Sequence, residues 1–211
     1  MAKRLLRGTG WVVAGLVALS AVFALYLAWP ILFPSAAGVS GQERVVGYPT
    51  SVEATGEDGR TRVLDVSAAD GSVPALDQIA PGDRLVVAGD GFNPSMGVYV
   101  AVCRIAPTPD QRPGPCLGGV PETESDGLVD RSEIQWAAAN WINDDWAWRL
   151  FGARSFDDHR AGTFTAHLEI PAGADEFVDC RASDCAIYTR NDHTAIDNRM
   201  QDLYLPVEFS R

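Results

Sequence analysis

Three histidines are the side chains best suited to acid–base or metal chemistry in this chain of 211 residues. His159 follows Asp157 and Asp158, His167 lies in an alternating apolar segment, and His193 lies close to the C-terminus. Adjacent carboxylates and imidazole groups could bind a divalent cation or exchange protons. None of the histidines completes a motif of serine hydrolases, zinc peptidases or nucleotide-binding enzymes. Because adjacent acids before a strand usually form a solvated turn, we predict no metal site and no catalytic residues.

Four cysteines form two closely spaced pairs, Cys103 with Cys116 and Cys180 with Cys185. An even number of cysteines suits an oxidising compartment, where local disulfides are the simplest arrangement. Spacing alone permits three connectivities, and the Cys-x4-Cys pair could in principle bind a metal. No histidine or further cysteine pair lies at zinc-ligand spacing. The cysteines therefore favour an extracytoplasmic location.

A long apolar stretch, residues 11–33, contains no charged residue. As a helix it would be about 34 Å long, enough to cross the hydrocarbon core of a bilayer. Three basic residues lie within residues 1–10, so the positive-inside rule predicts a cytoplasmic N-terminus and an extracytoplasmic remainder. The alternative is a cleaved signal peptide, because residues 35–37 are small. The length of the stretch favours a permanent transmembrane anchor.

The rest of the chain is strongly acidic. The chain contains 28 Asp and Glu against 17 Lys and Arg, which gives a net charge of −11. Three of the basic residues lie within residues 1–10, so the rest of the chain is more negative than this total. Such a surface repels nucleic acid and anionic lipid headgroups. We therefore predict a soluble extracytoplasmic domain that has no nucleic-acid partner.

The pattern of apolar residues predicts a linker followed by an all-β domain. Residues 34–60 are rich in Pro, Gly, Ser, Thr and Glu, which is typical of a linker. Residues 164–170 and 203–209 alternate apolar and polar side chains, as strands with one buried face do. Several short strands separated by turn residues are typical of an antiparallel β-sandwich, which we place at residues 61–211.

A Trp-rich insertion at about residues 120–160 interrupts this pattern and holds four of the six tryptophans. Trp136, Asn140 and Trp141 have helical spacing and Ser132 could act as an N-cap, which predicts one short helix. The aromatic side chains either form a satellite core or bind a partner protein or membrane. Two aspartates beside them argue against an anionic membrane. The partner-binding candidates are Trp136, Trp141, Trp146, Trp148 and Phe151.

Three short segments of the predicted domain carry a likeness to a known family. They are residues 80–92 (APGDRLVVAGDGF), 97–103 (GVYVAVC) and 179–185 (DCRASDC), the last followed by an apolar strand. The domain resembles the neocarzinostatin-type apoproteins, small immunoglobulin-like chromophore carriers secreted by actinomycetes, over about half of the chain. The resemblance implies an immunoglobulin-like antiparallel β-sandwich with two local disulfides, Cys103–Cys116 and Cys180–Cys185.

The resemblance also implies a ligand cleft beside the first disulfide. At two positions where the chromophore carriers line this cleft with polar side chains, the chain has Ala186 and Arg190, so we do not expect the same ligand. A small apolar molecule is the alternative. The candidate cleft residues are Val102, Ile105, Leu117 and Tyr188.

The leading prediction is a non-enzymatic, membrane-anchored binding or accessory subunit of a cell-envelope membrane protein complex, without a cofactor. A tether raises the effective concentration of such a module near its partner, so a weak interface suffices. One alternative is a carrier of a small apolar ligand. An envelope hydrolase is the third hypothesis, because only the fold could bring carboxylates and histidines together in one concave site.

Overall fold

The computed structural model of this chain describes residues 2–33, 38–118 and 134–210, with residues 2–10 and 30 described by their backbone alone. The Ser132 N-cap predicted above lies outside these ranges. In chain order the elements are α1 (Ala2–Leu32), β1 (Ser51–Thr55), β2 (Thr61–Ala68), β3 (Arg84–Asp90), β4 (Val98–Arg104), β5 (Ala139–Ile142), α2 (Trp146–Leu150), β6 (Phe164–Glu169), β7 (Cys185–Asn191), the 3-10 turn η1 (His193–Ala195) and β8 (Tyr204–Val207).

Helix α1 includes a segment, Trp11–Trp29, that is long and apolar enough to cross a membrane. The rest of the described chain buries none of the most apolar part of this segment. An exposed apolar helix of this length is costly in water and stable in a bilayer. It therefore fits the single-pass anchor predicted at residues 11–33.

The strands form two antiparallel sheets of four strands each. The first sheet has the order β1-β2-β3-β6, and the second has the order β5-β4-β7-β8. The two sheets share one apolar core, to which the first sheet contributes Leu64 and Val87 and the second contributes Val100 and Ile187. Successive side chains of a strand point to opposite faces. Strand β4 therefore directs Val100 into the core and Tyr99 to the outer face of the second sheet.

The linker predicted for residues 34–60 is wrong over its described part, residues 38–60. Residues 51–55 form β1, which pairs antiparallel with β2. Further upstream, the side chain of Gln42 donates a hydrogen bond to the Tyr204 carbonyl and accepts one from the Tyr204 N–H, each at 2.8 Å. The polar composition was misleading because backbone pairing, rather than apolar side chains, fixes this segment.

The predicted insertion at residues 120–160 contributes an edge strand to the second sheet. Strand β5 pairs antiparallel with β4, and Asn140 lies opposite Val100. The helix predicted around Trp136 and Trp141 is therefore wrong, because pairing with β4 outweighs the helical spacing. A helix does form a few residues later as α2, and the carboxylate of Asp145 caps it by accepting a bond from the N–H of Ala147 at 2.9 Å.

Both disulfides form with the pairing that the family resemblance implied. Cys103–Cys116 ties the end of β4 to the segment that follows residues 105–113, and Cys180–Cys185 ties the start of β7 to the preceding loop. By loop-closure entropy, the first would stabilise the fold by about 3 kcal/mol and the second by about 2 kcal/mol.

Candidate functional site

A cavity of about 420 Å³ lies on the outer face of the second sheet, between β7–β8 and two segments that cover them. The covering segments are residues 40–48 and 105–113. Tyr188 of β7 and Tyr204 of β8 lie opposite each other in register, and their rings stack with centroids 5.1 Å apart. The cavity therefore has an aromatic wall, which is typical of sites for small organic molecules.

Asp202 contributes a buried carboxylate to this cavity. Its Oδ2 forms an ion pair of 2.9 Å with Arg199 Nη1, while its Oδ1 has no hydrogen-bond partner among the described residues. Burial raises the pKa of Asp202 to about 7, although the charge of Arg199 acts to lower it. A buried acceptor without a donor is energetically costly, so burial favours the protonated form of this carboxyl group.

Two of the four predicted cleft residues, Ile105 and Tyr188, line this cavity. The other two, Val102 and Leu117, are fully buried in the core between the sheets. Val102 lies opposite Ile187 in the register of β4 and β7, and both side chains face the core. Because successive side chains of a strand point to opposite faces, Val102 cannot lie on the outer face with Tyr99. Ala186, one of the two positions where the sequence differs from the chromophore carriers, faces the outer side with Tyr188.

Arg190 lies at the border of the same region and is largely buried. Its guanidinium lies 5.7 Å from the ring centroid of Tyr99 and donates a hydrogen bond of 3.3 Å to the carbonyl of Pro113. Burial lowers the pKa of Arg190 to about 10 and raises the pKa of Tyr99 to about 12. The arginine thus holds one covering segment of the cavity against the sheet.

Four of the five predicted partner-binding residues come together at the end of the second sheet where β5 and β7 finish. We call this group, with His193 of η1, the α1-side cluster: Trp141, Trp146, Trp148, Phe151 and His193. Trp148 packs edge-on against His193, with ring centroids 4.7 Å apart, and Trp141 lies 5.3 Å from the same ring. Trp146 lies outermost and packs against the C-terminal half of α1.

Asp192 fixes the inner part of the α1-side cluster. Its Oδ2 accepts hydrogen bonds of 2.8 Å from Trp141 Nε1 and from Asn143 Nδ2. Its Oδ1 accepts bonds from the backbone N–H and the hydroxyl of Thr194 at 2.8 Å and 2.5 Å. Gly97 leaves room for this carboxylate, because a Cβ there would lie 1.8 Å from Oδ2. The fully satisfied carboxylate therefore has a structural role.

Trp136, the fifth candidate, lies apart from this cluster on the edge of the first sheet. Residues 134–138 run beside β6, where the N–H of Ala137 donates a bond to the carbonyl of His167 at 3.2 Å. The ring of Trp136 packs edge-on against His167 at 5.0 Å, and the guanidinium of Arg84 lies 5.3 Å from it. We call Ile134, Trp136, Arg84 and Glu169 the Trp136 patch.

The three histidines do not converge on one site. His159 is exposed and pairs with Asp144 at 2.7 Å, His167 packs under Trp136, and His193 shares a hydrogen bond of 2.9 Å with the hydroxyl of Tyr99. Burial lowers the pKa of His167. Across residues 2–33, 38–118 and 134–210, no group of three His, Cys, Asp or Glu side chains is placed to hold a metal ion.

Sequence reasoning missed Asp192, Asp202 and Tyr204. Tyr204 lies within residues 203–209, which were predicted as a strand, so the face of the strand to which its side chain points was predictable from the sequence. The pairing of Tyr204 with Tyr188 was not foreseeable, because strand register depends on contacts that are distant in the sequence. The same is true of the two aspartates, whose surroundings come from β4, β5 and the loop before β8.

Comparison of the chain with protein-family models, with curated proteins and with solved structures gave no match.

Proposed function

We propose that this protein is a non-enzymatic, membrane-anchored extracytoplasmic binding module, an accessory subunit of a membrane protein complex of the cell envelope. In this proposal the two-sheet domain is an immunoglobulin-like sandwich of the neocarzinostatin type, and the N-terminus is cytoplasmic. The number of strands, their division into two antiparallel sheets and the two local disulfides support that assignment of the fold.

The observation that carries the functional proposal is the direct packing of the domain on its own anchor. Trp146 lies 5.8 Å from the ring of Phe23 and 6.3 Å from the ring of Tyr26, and the hydroxyl of Tyr26 donates a hydrogen bond to the carboxylate of Asp145. A domain held in this way presents a defined face to its neighbours in the membrane. Such pre-organisation reduces the entropic cost of binding a partner.

The Trp136 patch is the surface that we assign to the partner protein. Trp136 is only partly buried, Ile134 is 60% exposed, and Arg84 covers the tryptophan ring. Tryptophan and arginine are the residue types most enriched where binding energy concentrates in protein interfaces. The other tryptophans are less suitable, since Trp141 and Trp148 hold the α1-side cluster together and Trp146 already contacts α1.

The test is an affinity purification of the tagged full-length protein in mild detergent, followed by mass spectrometry. We expect a stoichiometric membrane protein with the wild type and its loss with Trp136→Ala, which should weaken binding by about 2 kcal/mol or roughly 30-fold. Phe177→Ala is the matched control, because Phe177 is 63% exposed and lies outside the patch. Recovery of the wild-type protein alone would contradict the proposal.

A second candidate function, carriage of a small apolar ligand, is favoured by the cavity beside Tyr188 and Tyr204. The half-buried Ile105 lines this cavity, so Ile105→Trp should fill it while leaving the Trp136 patch intact. Organic extracts of the purified wild type should contain a small molecule that extracts of the variant lack. The carrier hypothesis fails if both extracts are empty.

A further inference from the structure

Helix α2 and its C-cap carry large apolar side chains that the sheets and α1 leave exposed. Trp146 is 58% exposed and Leu150 is 69% exposed, and Phe151, which follows α2 as its C-cap, is 47% exposed, whereas Ala147 is buried. Trp146 and Leu150 are four residues apart and lie on the same face of the helix. This exposed face is the outer part of the α1-side cluster.

The contact with α1 sets the depth of this face relative to the membrane. The candidate span ends at Trp29, and Phe23 and Tyr26 precede Trp29 by about 9 Å and about 4.5 Å along the helix axis. The ring of Trp146 contacts both of them. Helices that lie in the membrane interface insert their apolar face by about 5–10 Å, which is close to the distances of Phe23 and Tyr26 from the end of the candidate span at Trp29.

The two aspartates beside α2 do not oppose such a position, because both have partners. Asp145 caps α2 and accepts the hydrogen bond from Tyr26. Asp144 accepts a bond of 2.9 Å from the N–H of Phe156 and pairs with His159. Paired carboxylates cost less to bring near an apolar phase than unpaired ones. At an uncharged bilayer surface, Asp144 and Asp145 therefore do not prevent the neighbouring tryptophans from facing the membrane.

We propose that the exposed face of α2, formed by Trp146, Leu150 and Phe151, inserts into the outer lipid leaflet beside α1 and gives the domain a second attachment to the bilayer. The inference rests on the anchoring part of the proposed function. Lipid is the occupant because, at the depth of Phe23 and Tyr26, lipid surrounds a helix that spans the membrane. Tryptophan is the residue type favoured at that boundary.

Spin labels on the full-length protein in phosphatidylcholine nanodiscs test this inference. All four native cysteines are in disulfides, so an introduced cysteine is the single free thiol. Labels are placed by Leu150→Cys on α2, by Phe177→Cys as the exposed control and by Leu16→Cys within α1. Collisions with oxygen, which concentrates in lipid, and with a water-soluble nickel chelate are then measured for each label.

We expect the oxygen-to-nickel collision ratio to be several-fold higher at positions 150 and 16 than at position 177. A ratio at position 150 equal to that at 177, with a high ratio at position 16, would overturn the insertion of α2 and leave the anchor intact. A low ratio at position 16 would overturn the anchor, and the proposed function and this inference with it. A label at position 150 shielded from both reagents would overturn the inference in favour of a protein occupant.

Discussion

Two aspartates are buried in the loops that follow and precede neighbouring strands of the second sheet, yet their carboxylates have opposite surroundings. Asp192, after β7, accepts four hydrogen bonds from Trp141, Asn143 and Thr194. Asp202, before β8, has one ion pair with Arg199 and one oxygen without a partner. Burial alone therefore does not describe the surroundings of a carboxyl group. The number of satisfied acceptor positions distinguishes Asp192 from Asp202.

The regions around Asp192 and Asp202 also differ in how densely their side chains are packed. The α1-side cluster is filled by aromatic rings packed on each other, whereas the region of Asp202 contains a cavity of about 420 Å³. We expect substitutions in the first region to reduce stability and substitutions in the second to change ligand binding and the dependence of stability on pH. Four predictions test this contrast.

The largest effect is expected for Asp192→Ala. The substitution leaves the indole of Trp141, the amide of Asn143 and the N–H of Thr194 without an acceptor, and hydrogen bonds to a charged group are worth about 1.5–3 kcal/mol each. We expect the free energy of unfolding to fall by about 5 kcal/mol, measured by urea denaturation in detergent. A loss under about 1 kcal/mol would mean that the two aspartates do not differ as described.

The second effect is on the pH dependence of stability and concerns Asp202. Because its pKa in the folded state is raised to about 7 from 3.8, the folded protein holds this proton over a pH range in which the unfolded chain has released it. This contribution is complete below about pH 4 and is lost as the pH rises to about 7, a change of up to about 4 kcal/mol.

The variant Asp202→Asn should lack this pH-dependent contribution to the free energy of unfolding. We therefore expect the stability of the wild type relative to the variant to fall between pH 4 and pH 7, measured by chemical denaturation in a series of buffers. A constant difference across this range would show that Asp202 is ionised throughout. Comparing the wild type with the variant at each pH cancels the contributions of the ionisable groups that both proteins share.

The third effect concerns the disulfide Cys103–Cys116, which closes the loop that contains the covering segment 105–113. The double variant Cys103→Ser/Cys116→Ser frees the segment 105–113 that covers the cavity, and we expect a loss of about 3 kcal/mol. The matched variant Cys180→Ser/Cys185→Ser should lose about 2 kcal/mol and leave the loop around segment 105–113 closed by its own disulfide. Both losses are measured by urea denaturation, and equal losses would contradict the loop-length argument.

The smallest effect is expected for Tyr26→Phe in α1. The variant removes the hydrogen bond to Asp145 but keeps the stacking on Trp146, and an exposed hydrogen bond contributes about 0.5 kcal/mol. Thermal unfolding of the full-length protein should therefore be nearly unchanged, while Trp146→Ala should lower the melting temperature more. The reverse order would mean that the hydroxyl, rather than the ring, holds the domain on α1.

The strands with regular alternation were predictable from the sequence, and β6 and β8 lie within the predicted segments. The apolar helix was predictable because its signal is one of length and composition. Strand β1 was not, since Ala54 is its one fully buried residue and its pairing with β2 uses the backbone. Strand β5 was missed because four residues, Ala139–Ile142, fit a helix as well as a strand until their neighbour in the sheet is known.

The candidate sites were predictable only in part. Aromatic richness drew attention to Trp141, Trp146 and Trp148, and the expected cleft to Ile105 and Tyr188, which line one cavity, while their roles in binding stay predictions. The division of the tryptophans into two separate regions depended on how residues 134–142 cross from the first sheet to the second. That crossing follows from tertiary pairing, which no local pattern of residues encodes.

The early attachment of the chain to the domain limits how far this module can reach. Residue 38 already lies against the domain, where the carbonyl of Gly38 accepts a bond of 2.7 Å from the N–H of Arg199. Five peptide steps separate Gly38 from Phe33, so the chain between them spans at most about 17 Å. With α1 as a single-pass anchor, the domain would stay within a thin layer at the bilayer surface, and a partner in the proposed complex would have to meet it there.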